Sequence, residues 1–163
     1  MAKTKSPSLA KSLLGKTAPS LKMVATNSEE IQFKDFAGKN IILYFYPKDN
    51  TPGCTLEGQD FSKLVSEFKK LDSIVFGVSA DSLKSHLGFK ERCGFKIELI
   101  SDPDRKLCRA FDVIQMKSMY GRKFEGIERS TFIIDKSGKI AKEWRKVKVT
   151  GHAEEVLNSL KDM

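Results

Sequence analysis

The sequence predicts an α/β fold in which helices flank a central mixed β-sheet. Two short apolar runs rich in β-branched and aromatic residues indicate buried strands, one from Asn40 to Tyr46 between Gly38 and Pro47, and one from Ser73 to Ser79. Segments with a helical spacing of apolar residues alternate with these strands, which is typical of α/β sandwiches and not of helix bundles. With 163 residues and no internal repeat, the chain has the size of one domain.

A helix is predicted directly after the first strand. Thr51 is a suitable N-cap and Pro52 a suitable first helical residue, so Cys54 falls in the first turn. Apolar residues then recur at intervals of three and four along one face: Phe61, Leu64, Phe68 and Leu71. The sequence therefore predicts a strand, a tight loop and a cysteine at the start of a helix.

Three more helices and a hairpin are predicted from their own start and stop signals. The helices, with their inward residues, are Asp81 or Ser82 to about Gly94 with Leu83 and Leu87, Asp102-Pro103 onward with Leu107 and Phe111, and about Ala153 to the C-terminus with Val156, Leu157 and Leu160. Ser130 to Asp135 and Ile140 to Trp144, joined by a polar turn, indicate a hairpin that closes the sheet.

The net charge of +8 is concentrated at the N-terminus, where five lysines precede the first acidic residue, Glu29. We therefore predict a basic, flexible extension at residues 1–16 and one folded domain at residues 17–163. A basic patch without further signals is weak support for nucleic-acid binding, so we expect no nucleic-acid partner. The chain shows no signal peptide and no membrane span, and its three cysteines are too few and too far apart for a disulfide framework. These features favour a cytoplasmic protein with free thiols.

Cys54 is the candidate nucleophile. Unpaired N–H groups and the positive end of the dipole at a helix start favour a thiolate, whereas an ordinary thiol with a pKa of about 8.5 is mostly protonated at neutral pH. Arg129 stands at the head of a predicted strand beside the cysteine loop and can supply a cation. Taken alone, Cys54 could be a small buried residue and Arg129 a surface residue, but the helix start favours the reactive interpretation of Cys54.

The run from Phe45 to Thr55 reads Phe-Tyr-Pro-Lys-Asp-Asn-Thr-Pro-Gly-Cys-Thr. The spacing of Pro47, Thr51 and Cys54 in it resembles the active-site motif of the peroxiredoxin family. This run and the segment 126–135 are similar to the bacterioferritin comigratory protein or Q-type branch. The resemblance covers about residues 16 to 160 and implies a thioredoxin-like fold.

The resemblance also implies an activity, which is the reduction of hydrogen peroxide and organic hydroperoxides while Cys54 becomes a sulfenic acid. It implies no metal, haem, flavin or selenium. Electrons would come from thioredoxin, or from glutaredoxin or glutathione, and the protein would be a monomer or a weak dimer.

Each motif residue is expected to have a role at Cys54. Arg129 would stabilise the thiolate and the charge that develops on peroxide oxygen. The Thr51 hydroxyl would accept hydrogen bonds from the first-turn amides and donate to the peroxide, and Pro47 would shield the sulfur from water. Glu57, one turn beyond Cys54, would hold the guanidinium by a paired hydrogen bond, although it could also be an ordinary first-turn acid.

Other residues and other classes remain open to test. We expect Cys108 in the core and His86 and His152 as structural or surface residues. The segment around Met116, Met119, Tyr120 and Phe124 could form the rim of the peroxide pocket or a docking surface for a reductase, or it could be ordinary core. Alternative classes are a disulfide oxidoreductase, which needs a second cysteine in the loop, a glutathione peroxidase, and a nucleic-acid-binding module without peroxidase activity.

The partner of Cys54 differs from that of relatives. In many members of the branch a resolving cysteine lies five residues on, where this chain has Gln59, or on the following helix at the position of Lys90. Cys93 remains as a candidate resolving cysteine on a flank of that helix, a one-cysteine mechanism is an equal alternative, and Cys108 is a third, lesser candidate. A Cys54–Cys93 bond needs Cα atoms within about 7 Å, so both helix ends would have to unwind.

Overall fold

The computed structural model describes residues 11–27 and 30–163. The strands are β1 Met23–Ala25, β2 Glu30–Ile31, β3 Asn40–Phe45, β4 Ser73–Ser79, β5 Glu98–Ser101, β6 Ile114–Met119, β7 Arg122–Ile127, β8 Ser130–Ile134 and β9 Ile140–Trp144. The helices are α1 Pro52–Lys63, α2 Val65–Lys70, α3 Leu83–Cys93, α4 Lys106–Ala110 and α5 His152–Lys161, with a turn of 3₁₀ helix at Phe33–Phe36.

The described strands form a seven-stranded mixed sheet in the order β2-β1-β5-β4-β3-β8-β9, and β6 and β7 form a separate two-stranded sheet. Central β3 pairs in parallel with β4 and antiparallel with β8. The α/β class and the mixed sheet that the sequence predicts are confirmed, as are the two buried strands and the β8–β9 hairpin. The β6–β7 hairpin was not predicted, because its strands are polar and largely exposed.

Alternation along β3 divides the interior into two cores on opposite faces of the sheet. Ile41, Leu43 and Phe45 belong to one core, and Ile42 and Tyr44 belong to the other. Helix α1, helix α5 and the cysteine loop lie on the second face. The first face is covered by α4 and the 3₁₀ turn.

Two predicted helices differ in their bounds from the structure. The helix after the cysteine loop ends at Lys63 and a new helix begins at Val65, with Leu64 between them outside both. Helix α4 begins at Lys106 and not at Asp102, because the Asp102 carboxylate accepts hydrogen bonds from the amides of Leu107 and Cys108 and thereby caps it from outside.

Helix α3 begins and ends where the sequence predicts, but the predicted inward face is wrong. Ser82 caps its start and Gly94, with φ 66°, ends it in the left-handed conformation. The buried residues are His86 and Phe89, whereas Leu87 is 43% exposed. The observed face places His86 against two polar partners, Asp49 in the cysteine loop and the Ile100 carbonyl in β5.

The predicted flexible extension is only partly described. Residues 1–10 lie outside the described part of the chain. The amide of Gly15 donates to the carbonyl of Ile140, the amide of Ile140 donates to Lys16, and Ser12 donates to Glu143. Residues 12–16 are therefore hydrogen-bonded to β9, and a flexible extension at residues 1–16 stays a prediction.

Candidate active site

Cys54 lies in the first turn of α1, at the edge of the sheet where β3 ends. Thr51 has the extended backbone of an N-cap, and Pro52 occupies the first helical position, as predicted. The Cys54 side chain is 2% exposed and packs in the second core. The sequence folds this way because β3 delivers the chain to a short polar loop, and the Thr-Pro pair then starts the helix.

The guanidinium of Arg129 joins Cys54 to Glu57. Its Nη2 donates to Cys54 Sγ at 3.5 Å and its Nη1 donates to Glu57 Oε1 at 2.6 Å. Gly53 allows this approach, since a Cβ at that position would lie 3.2 Å from Nη2. The structure therefore brings together three of the predicted site residues. Arg129 lies 72 positions from Glu57 and 75 positions from Cys54 in the sequence.

Glu57 is buried, and its carboxyl group is held on one side only. Its residue is 1% exposed, and within the described part of the chain Oε2 has no hydrogen-bond partner. The predicted paired hydrogen bond is thus a single one, because the second guanidinium nitrogen is directed at sulfur. Burial raises the pKa of Glu57 to about 7, against the opposing effect of the Arg129 charge.

Thr51 and Pro47 occupy the loop, but the hydrogen bonds of Thr51 differ from the prediction. Its hydroxyl donates to the carbonyl of Lys48 at 2.8 Å and forms no cap bond with the first-turn amides. The loop turns so tightly that the Lys48 carbonyl, and not a first-turn amide, is the hydrogen-bond partner of this hydroxyl. Pro47 is exposed directly after β3, where the sequence places it.

A buried polar cluster behind the loop was not predicted from the sequence. Asp49 is 4% exposed, and His86, on α3, is fully buried. Oδ2 of Asp49 lies 2.8 Å from Nδ1 of His86. His86 and the other buried histidine, His152, both have side-chain partners. An aspartate inside the cysteine loop was the available signal, but only the tertiary structure shows its partner.

The three cysteines are free thiols and lie on two sides of the sheet. Cys54 belongs to the second core and Cys93, at the last residue of α3, packs against it half-buried. Cys108 is fully buried in the first core, as expected, where burial raises its pKa well above the ordinary thiol value. Because the sheet separates the two cores, Cys93 is on the same side as Cys54 and Cys108 is not.

The β6–β7 hairpin is exposed, which rules out the interpretation of its apolar residues as ordinary core. Met116 is 64%, Met119 58%, Tyr120 97% and Phe124 42% exposed. The hairpin leads through Glu128 directly to Arg129. A rim or docking role therefore remains a prediction.

This fold, with a cysteine and an arginine meeting at a helix start, is the arrangement of a thiol-based oxidoreductase. The chain matches the family model described as AhpC/TSA over residues 14–143. Peroxiredoxin Bcp of Bacillus subtilis is 48% identical over 150 residues, which cover 92% of this chain and 96% of that protein. Peroxiredoxin Bcp of Xanthomonas campestris is 55% identical over 125 residues, covering 77% and 78%.

Solved structures agree with these sequence matches. A mutant of Xylella fastidiosa PrxQ superposes with a TM-score of 0.88 at 44% identity, over 94% of this chain and 98% of that one. The bacterioferritin comigratory protein of Xanthomonas campestris superposes with a TM-score of 0.84 at 48% identity, over 87% and 90%. The chain belongs to the AhpC/TSA family, and within it to the Bcp or PrxQ peroxiredoxins, which confirms the resemblance. It is a thiol peroxidase with a thioredoxin-like fold.

A peroxiredoxin acts on a peroxide and is recycled by a thiol.

None of the helices formed by the described residues has the length and apolar character that crossing a bilayer requires.

Proposed function

We propose that Cys54 is the peroxidatic cysteine and that it reduces hydrogen peroxide and alkyl hydroperoxides. The observation that carries the proposal is the Arg129 guanidinium, which contacts both the Cys54 sulfur and the buried Glu57. The Xanthomonas campestris relative is described by its alkyl peroxide reduction activity, which supports the alkyl substrates.

In the first step the Cys54 thiolate attacks one peroxide oxygen. A sulfur–oxygen bond forms, the oxygen–oxygen bond breaks, and the leaving oxygen takes a proton to become water or an alcohol. Arg129 stabilises the negative charge on sulfur before the attack and on oxygen during it, because its planar fork can donate to two atoms at once. Thr51 and Pro47, in the loop before Cys54, are the further residues that we propose to contact the peroxide. The Thr51 hydroxyl has to leave the Lys48 carbonyl in order to donate to peroxide.

We propose that Cys93 resolves the sulfenic acid. The Cys93 thiol displaces the hydroxyl of oxidised Cys54, a disulfide forms and water leaves. The shared side of the sheet supports Cys93 over Cys108, and Cys93 stands at the last residue of α3, next to the Gly94 C-cap. The first turn of α1 has to unwind, since Cys54 is buried and Cys93 half-buried.

Thioredoxin is the proposed reductant, with glutaredoxin or glutathione as the alternative. Two thiols of the reductant become a disulfide and reduce the Cys54–Cys93 disulfide to two free thiols. A protein with three free thiols suits the reducing cytoplasm. We keep a monomer or a weak dimer as the proposed state.

The test of the peroxidase is peroxide consumption in the presence of thioredoxin, thioredoxin reductase and NADPH. Turnover by the wild type and its loss in Cys54→Ser is the expected result, because serine has the same shape and far weaker nucleophilicity. Turnover that persists in Cys54→Ser contradicts the proposal.

The test of the resolving step is mass spectrometry of peptides after one equivalent of peroxide. A linked Cys54 and Cys93 pair is expected. A persistent sulfenic acid at Cys54, together with full thioredoxin-supported turnover by Cys93→Ser, would establish a one-cysteine mechanism instead.

A further inference from the structure

A buried polar cluster, which we call the loop clamp, consists of Tyr46, Asp49, Ser85 and His86. The Tyr46 hydroxyl donates to Asp49 Oδ1 at 2.6 Å, and the Ser85 hydroxyl donates to Asp49 Oδ2 at 2.8 Å. His86 Nδ1 lies 2.8 Å from the same Oδ2. Both oxygens of a nearly inaccessible carboxylate are therefore saturated by protein donors.

His86 joins Asp49 to β5. Its Nε2 lies 2.9 Å from the carbonyl of Ile100, and its Nδ1 faces the Asp49 carboxylate. Burial by itself would raise the pKa of Asp49, but hydrogen bonds, first of all from His86, hold it below the ordinary value, so the carboxyl group is ionised and can only accept. The clamp therefore contains a buried carboxylate that is stabilised by hydrogen bonds.

The clamp ties the cysteine loop to two other elements. Asp49 lies in the loop between Pro47 and Thr51, His86 and Ser85 belong to α3, and Ile100 belongs to β5. The backbone amide of Asp49 is held as well, since it donates to Asp81 Oδ2 at 2.9 Å. Two residues after Asp49 the chain enters the N-cap of α1, so the position of Asp49 determines where that helix starts.

A metal site is the other chemistry that these residues offer. Ligand atoms of Asp49, Asp81 and His86 lie within 4.8 Å of one another. Both oxygens of Asp49 and both nitrogens of His86 are already bonded to protein groups, and Asp81 Oδ2 accepts from Ser79 and from the Asp49 amide. This saturation favours a hydrogen-bonded clamp over a cation.

Buried charged groups with their hydrogen-bond partners often stabilise a protein no better than apolar residues of the same size, so their value lies in the geometry that they fix. We propose that Asp49 and His86 are positioning residues for the peroxidase reaction. The hydrogen bond between them holds the start of α1 at the place where Arg129 reaches the Cys54 sulfur. The proposal rests on the proposed role of Cys54. Neither residue touches the sulfur in this arrangement; both act through the loop.

Two substitutions of His86 separate its two hydrogen bonds. The amide nitrogen of asparagine takes the place of Nδ1 and can still donate to Asp49, while that of glutamine takes the place of Nε2 and reaches Ile100. Displacement of a reacting group by about 1 Å costs about 100-fold in rate, so we expect His86→Gln to slow Cys54 oxidation by about 10- to 100-fold. His86→Asn should stay within about threefold of wild type in the same reaction.

The readout is the single-turnover rate of Cys54 oxidation by peroxide, which requires neither Cys93 nor a reductant. A second readout is alkylation of Cys54 by iodoacetamide at about pH 9, where an ordinary thiol is largely ionised. A loosened loop exposes the buried sulfur, so His86→Gln should be alkylated faster while it reacts more slowly with peroxide. A purely structural loss would not move these two rates in opposite directions.

Ile140→Ala is the control for general destabilisation, because Ile140 is buried on the opposite face of the sheet. It should lower the unfolding temperature without changing either Cys54 rate. If the His86 variants do not fold, Asp49→Asn and Asp49→Ala replace them. Asparagine keeps one oxygen that accepts from Ser85 and His86 and has an amide that can donate to the Tyr46 hydroxyl, so it should stay close to wild type, whereas alanine keeps none of these hydrogen bonds and should not.

Equal rates for His86→Asn and His86→Gln, or a slower His86→Asn, overturn the proposal. A wild type that does not react with peroxide refutes the peroxidase role of Cys54, and the alkylation rates still decide whether the clamp positions the cysteine.

Discussion

Burial of Glu57 gives this protein a pH-dependent stability that can be measured. Its pKa rises from 4.5 to about 7, first because burial disfavours the charged carboxylate and in spite of the Arg129 charge beside it. Between these two pH values the folded protein keeps a proton that the unfolded chain has released. The free energy of unfolding therefore falls as the pH rises through this window, by about 3 kcal/mol if the whole shift is realised.

Glu57→Gln removes this ionisation and keeps the shape and the oxygen that accepts from Arg129. All other titrating groups are common to both proteins and cancel in the difference. We expect the variant to gain about 2.5 kcal/mol relative to wild type when the pH is changed from about 5 to about 8. Most of the change should occur between about pH 5 and the folded-state pKa of about 7.

The assay is equilibrium unfolding in urea at several pH values, since guanidinium salts would screen the charges. Glu67→Gln is the matched control, because Glu67 forms an exposed pair with Lys70 and its removal should give a difference that hardly depends on pH. A stability difference between Glu57→Gln and wild type that is constant with pH, or that changes in the opposite direction, would refute the reasoning.

Three further outcomes are expected. Arg129→Lys keeps the charge but loses the fork that contacts Cys54 and Glu57, so single-turnover peroxide reduction should fall well below wild type; a rate within about twofold would contradict the role. Gly58→Ala should lower stability by about 1–3 kcal/mol in thermal or urea unfolding, because the new Cβ would lie 2.3 Å from the buried Phe95 ring, and an unchanged midpoint would contradict this packing. Cys108→Ala should leave thioredoxin-supported turnover within about twofold of wild type, because Cys108 lies across the sheet, and a large loss would show that it takes part.

The peroxidase function could be predicted from the sequence because its signal is local. Asn40 to Tyr46 is a buried strand by composition alone, and Thr51-Pro52-Gly53-Cys54 starts a helix by rules that involve only neighbouring residues. The structure agrees with both. The motif spacing adds the family, which the comparisons confirm.

The inner faces of α4 and α5 agree with the sequence prediction, but that of α3 does not, because a short amphipathic helix carries an ambiguous periodicity. On α3 the leucines predicted one inner face, whereas the face that is buried carries the polar His86 and the aromatic Phe89. A histidine is assigned to the core only when its partners are known, and those partners, Asp49 and the Ile100 carbonyl, come from two distant elements.

The sequence by itself determined the α/β class, the cysteine at the start of a helix and the peroxiredoxin family. Each of these depends on residues close together in the chain, whose conformational preferences act before any tertiary contact forms. Only the tertiary structure decided that Arg129 contacts Cys54 with one arm and Glu57 with the other, that the loop is held by the buried contact between Asp49 and His86, and that Cys93 and Cys108 lie on opposite faces of the sheet. These features follow from strand order and from the side on which each crossing helix packs, which bring together residues far apart in the chain and which no local pattern specifies.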